Sequence, residues 1–131
     1  MEESKTNIQN QAGVSFSLKW GKVLIFHATI LLLKEPKYVR FLFNPQEKRL
    51  AIQCCDKKVL ESFAVPKYNP DNWEFVIKSM EMMRMIYRCC NWKDEKTYRA
   101  YGVYHEKYNL VEYELNSAGV IEDSQFVDPR N

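Results

Sequence analysis

Residues 17–55 read SLKWGKVLIFHATILLLKEPKYVRFLFNPQEKRLAIQCC. They are apolar in the middle, basic at the edges and broken by one Trp-Gly-Lys turn. The apolar run over residues 23–33 is 11 residues long and contains His27, whereas a membrane-spanning helix needs about 20. The chain opens on the polar stretch MEESKTNIQNQA, where a secretory leader would place a basic and then an apolar segment. The run is therefore expected in the core of a cytoplasmic protein, behind a flexible tail over residues 1–12.

Working outward, Val14, Phe16 and Leu18 alternate with Ser15 and Ser17, the period-two signature of a half-buried strand. Lys19-Trp20-Gly21-Lys22 follows as a turn, with Gly21 free to take positive φ. Residues 23–26 read as a second strand. Residues 28–35 form a short helical candidate closed by Pro36, which disfavours helix at the residue before it. Residues 38–43 and 49–54 are strands joined by the Asn44-Pro45-Gln46-Glu47 turn into a hairpin. The second half runs in the same order. Residues 62–65 and 73–77 read as strands, and Ser79 caps a helix over residues 80–90. Met83, Ile86, Tyr87 and Cys90 make that helix's buried stripe, with Glu81, Arg84 and Arg88 outside. Residues 98–104 read as a strand with Gly102 as a bulge or bend. Residues 105–109 are a turn. Residues 110–115 are the last strand, with Val111, Tyr113 and Leu115 inward and Glu112 and Glu114 outward.

The expected fold is mainly β (α+β): one domain over residues 13–117, followed by an acidic tail over residues 118–131. Its two pseudo-repeats, 13–55 and 62–116, would close into one barrel-like β-structure, because a four-strand half alone leaves exposed edges and half a core. One chain would suffice as a monomer, a dimer being the alternative. A length of 131 residues, 46% hydrophobic and 14% aromatic, supports a real core and excludes a chain disordered throughout.

Charge is uneven. Residues 13–60 carry nine Lys/Arg against three Asp/Glu, a net of +6, while residues 108–131 carry one against five, a net of −4. Such asymmetry suits either a polyanion-facing half or ordinary solvated surface. The four cysteines are two adjacent pairs, Cys54-Cys55 and Cys89-Cys90. Zinc ligands usually stand two to four residues apart, so reduced thiols acting as small hydrophobes are the expectation, and neither metal nor cofactor is predicted. His27 reads as a core histidine. His105 beside Glu106 is titratable but lacks a nucleophile in its motif. Glu112 and Glu114 read as a charged strand face, and no Gly-rich phosphate loop is present. An enzyme is the least favoured class.

LKWGKVLIF, the short helix and the hairpin YVRFLFNPQEKRLAI resemble the swapped-hairpin barrel of AbrB/SpoVT-type regulators. Trp20-Gly21-Lys22 stands where that family has Leu-Gly-Arg, and residues 23–26 stand at its aliphatic strand. Lys22 replaces its arginine, Phe26 its proline and Pro36-Lys37 its Gly-Asp. The resemblance implies a regulator contacting duplex DNA through Lys19, Trp20, Lys22, Arg40, Lys48 and Arg49, with Arg84, Arg88 and Arg99 from the second half. Lysines would attract phosphates and arginines add bidentate contacts. Trp20 would stack on a nucleotide or fold back over the core. The rival expectation is a phage or mobile-element interaction protein, an inhibitor that binds a nucleic-acid-processing protein rather than DNA.

Overall fold

The computed structural model describes residues 11–55, 59–122 and 125–127. The elements are β1 (Gly13–Ser17), β2 (Lys22–Ile25), α1 (His27–Leu32), β3 (Tyr38–Asn44), β4 (Arg49–Cys55), β5 (Phe63–Ala64), β6 (Phe75–Lys78), α2 (Met80–Cys90), β7 (Thr97–Tyr101), β8 (Val103–His105), β9 (Leu110–Glu114), β10 (Gly119–Glu122) and β11 (Gln125–Val127). They form two antiparallel sheets. Sheet A has the order β11-β10-β7-β1-β2-β6, and sheet B the order β5-β3-β4-β9-β8.

The alternation read in β1 puts Val14 and Phe16 into the core. Val23 and Ile25 of β2 and Phe75 and Ile77 of β6 join them from sheet A, against Val39, Leu50, Ile52, Val111 and Tyr113 from sheet B. Each helix adds a buried stripe to this single core. In α2, Met83, Ile86 and Tyr87 are buried, the phase that the sequence predicts. Ser79 caps the helix, its Oγ accepting from the Met82 N–H at 3.2 Å. In α1, Thr29 and Ile30 are buried. This helix ends earlier than the sequence suggests, because Lys34 (φ 65°) and Glu35 (φ 51°) turn left-handed ahead of Pro36. The Glu35 N–H closes the turn on the Ile30 carbonyl at 2.9 Å.

Three expectations change. The sheets do not close into a barrel among the described residues. The expected repeat is not reproduced in the pairing: β1 pairs β2, whereas β5 lies in sheet B and β6 in sheet A. The C-terminal segment read as an acidic tail contributes two strands, β10 pairing β7 through Gly119↔Arg99 and Val120↔Tyr98. Its apolar Val120 and Ile121 find an open sheet edge that local composition does not reveal. At the other end, residues 1–10 of the expected tail lie outside the described residues. Ala12 is fully buried, so the folded body begins at or before it.

The strand expected over residues 98–104 is two strands in different sheets, β7 and β8, separated at Gly102. The reason is close packing. A Cβ on Gly102 would sit 2.4 Å from Val111 Cγ1 and 2.7 Å from Tyr113 Cε2, so only glycine lets the chain cross between sheets here.

Two tyrosines pin the interior. The Tyr87 hydroxyl lies between the carbonyls of Phe16 (2.9 Å) and Lys96 (2.6 Å) and donates to one at a time. Tyr113 pairs with Thr29 Oγ1 at 2.9 Å, and that Oγ1 reaches the Gly13 carbonyl at 3.3 Å. Burial pushes both phenols well above the ordinary tyrosine range. A pKa raised in the folded state leaves stability intact below the unfolded value, about 10, and removes it as pH climbs further. Thermal melts are therefore expected to hold through about pH 9 and to fall above about pH 10, with a shallower fall in Tyr113→Phe. An equally steep alkaline loss in that variant would assign the effect elsewhere.

Candidate nucleic-acid interface

Strand register decides which cations meet. On the face of sheet A turned away from the core, one row runs Ile121–Thr97–Ser17–Lys22–Lys78. The next runs Gly119–Arg99–Ser15–Leu24–Val76. No outward position in these rows carries a carboxylate. Lys22 and Lys78 stand directly opposite each other, and neither they nor Arg99 forms an ion pair with a described carboxylate. The three cations span three inter-strand steps, about 14 Å.

The β1–β2 turn brings Lys19 and Trp20 to this face. Gly21 takes φ +61°, and the chain folds back with the Gly21 N–H on the Leu18 carbonyl at 3.0 Å. The Gly21 carbonyl accepts from Ser79 at 2.8 Å, and the Trp20 N–H donates to Ser17 Oγ at 3.3 Å. The indole is 66% exposed, with Lys19 Nζ 5.4 Å from a ring centroid. Trp20 does not fold back over the core. It lines a shallow groove of about 210 Å³ with Ser15, Lys22, Leu24, Thr97 and Arg99. Arg99 is held from two sides: its Nε donates to Ser15 Oγ at 3.1 Å, and its guanidinium carbon sits 4.8 Å from the Phe26 ring centroid.

The structure thus gathers Lys19, Trp20, Lys22 and Arg99 and places the other expected residues elsewhere. Arg40 lies on the outer face of sheet B, where its Nε and Nη2 donate to Gln53 Oε1 at 3.0 and 2.7 Å. Arg49, on the same face, pairs with Glu112 at 3.5 Å, and His105 Nε2 lies 3.3 Å from the same carboxylate oxygen. Lys48 sits in the β3–β4 turn with φ 55°. Arg84 and Arg88 are exposed on α2. Lys78 was missed, because only its register opposite Lys22 brings it to this candidate face. Ser15 and Ser17 were visible in the alternation of β1, but as a polar face rather than as ligands for Arg99 and the Trp20 backbone.

Other candidate chemistry is dispersed. His27 is half-buried rather than in the core, stacked on Tyr68 at 4.1 Å and 4.9 Å from Trp73. All four cysteines are reduced and half-buried, and burial pushes the Cys90 thiol up to about 11. Among the described residues no group of three His, Cys, Asp or Glu side chains could hold a metal ion. No helix among them is long and apolar enough to cross a membrane. Set against known protein families, curated proteins and solved structures, the chain matches none.

Proposed function

We propose that this protein binds nucleic acid through the outer face of sheet A. The observation that carries the reading is the register pair Lys22↔Lys78, with Arg99 one row away and no carboxylate in those two rows of described residues. Like charges directly opposite each other in a sheet are destabilising. Left unpaired, they suit a polyanion whose phosphates replace the missing counter-charge and release condensed ions. The half-buried Thr97 adds a hydroxyl beside them, while Ser15 and Ser17 are buried and serve Arg99 and the Trp20 N–H. The working unit is taken as a monomer, since one chain encloses one core. Of the regulator resemblance, the Trp20-Gly21-Lys22 turn and its charge support the reading. The absence of a closed barrel among the described residues does not.

The test is fluorescence anisotropy with labelled DNA across a salt series. Wild type is expected to bind with affinity falling as salt rises. Lys22→Ala with Lys78→Ala should reduce the slope of log affinity against log salt by about 1.4 to 1.8. The melting temperature should hold or rise slightly, because a like-charge pair is removed. Arg49→Ala should leave the slope unchanged, its charge being met by Glu112. Absence of any salt-dependent binding in the wild type would remove the reading.

A protein-binding role has its own observation. Phe41, Phe43, Phe63, Met82 and Met85 line a groove of about 390 Å³ between α2 and sheet B, and Leu60, next in the chain to its lining residue Glu61, is 93% exposed. Exposed apolar surface of this kind marks association sites. A protein lacking salt-dependent DNA binding would bring this second reading forward.

A further inference from the structure

This inference rests on the nucleic-acid reading of sheet A and narrows it. We propose that the site takes a single-stranded nucleic acid, with one base stacked on Trp20 and the flanking phosphates on Lys22, Lys78 and Arg99.

Trp20 is the first reason. Tryptophan is highly buried on average, yet this one is 66% exposed on a turn whose backbone is fastened at Ser17, Leu18 and Ser79. An anchored turn holding a bare indole is a preformed platform. Bases inside a duplex keep their faces stacked and show only their edges in the grooves. An aromatic platform uses the face, which only an unstacked base presents.

Size is the second reason. The groove is small, about 210 Å³, below the ~300–1,000 Å³ of typical small-molecule pockets. Its lining includes Leu24 and Ile121 as apolar surface and Thr97 as a polar contact, with the buried Ser15 and Ser17 beneath. No helix residue lines it, so among the described residues this groove presents no recognition helix to a duplex. The third reason is Arg99. Ser15 engages Nε and Phe26 lies against the guanidinium, which leaves the terminal nitrogens free to grip a phosphate from a fixed plane.

The test compares a labelled oligothymidine of about 15 nucleotides, within the site sizes of known single-strand grooves, with a mixed-sequence duplex of equal length. Both are titrated with the full chain by anisotropy at several salt concentrations. The strand is expected to bind on the order of tenfold more tightly than the duplex. Trp20→Ala should weaken strand binding by about tenfold while leaving the salt slope and duplex affinity in place, and Trp20→Phe should recover part of the loss. In the wild type, the accessibility of the exposed indole to acrylamide should fall when the strand is bound, a readout that needs no variant to fold. Equal or tighter duplex binding, or an unaltered indole, overturns the single-strand assignment and leaves the nucleic-acid reading standing. Failure of both probes to bind at about 50 mM salt, where phosphate contacts are strong, removes both.

Discussion

Met83→Asp is expected to abolish the folded state. Met83 has no exposed surface and packs among Ile86, Tyr87 and the strands of the core. A carboxylate there has no described partner and must either be desolvated or protonated, at a cost of several kcal/mol. That is a large share of the ~5–15 kcal/mol by which such domains are stable. Arg84→Ala, one residue further along α2, removes an exposed side chain and should change stability by about 0.5 kcal/mol or less. Thermal unfolding followed by circular dichroism separates the two. A Met83→Asp protein that melts like the wild type would show that this helix face is not buried.

The second large effect belongs to Gly102. Its φ is not left-handed, so the requirement is room rather than backbone freedom. The Cβ of Gly102→Ala would meet Val111 Cγ1 at 2.4 Å and the Tyr113 ring at 2.7 Å. Neither can retreat easily, since Val111 and Tyr113 are both fully buried and the Tyr113 hydroxyl is tied to Thr29. The Gly102 N–H donates to the Ala12 carbonyl at 2.9 Å, so shifting the backbone instead would strain that bond. Overpacking typically costs ~1–3 kcal/mol. Gly102→Ala is expected at or above the top of that range and Gly102→Val to leave little folded protein. Urea midpoints report it, with an unchanged m-value assigning the loss to the native state. A midpoint within error of wild type for Gly102→Ala would mean that the two sheets separate here without penalty.

Most elements were legible because their causes are local. The Val14/Phe16 alternation, the Ser79 cap, the stripe of Met83, Ile86 and Tyr87, and the turn at Asn44 follow from side-chain period and short-range hydrogen bonds. At that turn Asn44 Oδ1 accepts from Gln46 and Glu47 at 3.1 Å each. The candidate site was half legible for the same reason. Lys19, Trp20 and Lys22 lie within one turn, so naming the turn names them together. Arg40 and Arg49 were attached by proximity in sequence to the same basic half, but the β3–β4 hairpin carries them to the other sheet, where Gln53 and Glu112 occupy them.

The sequence by itself determined the mainly β class, the approximate places of both helices, the α2 face that is buried and the freedom of Gly21 to take positive φ. Only the tertiary structure decided that the sheets stay open, that Gly102 divides one expected strand between them, that residues 119–122 extend sheet A, and that Arg99 and Lys78 join Lys22. The physical reason is range. Periodicity reports which face of a segment avoids water, a preference each segment carries alone. Which strand lies beside which is set by loop closure and by how distant side chains fill one shared core. Tyr98 and Phe16 come together although 82 positions apart in the chain, and no short window of the chain records that they will.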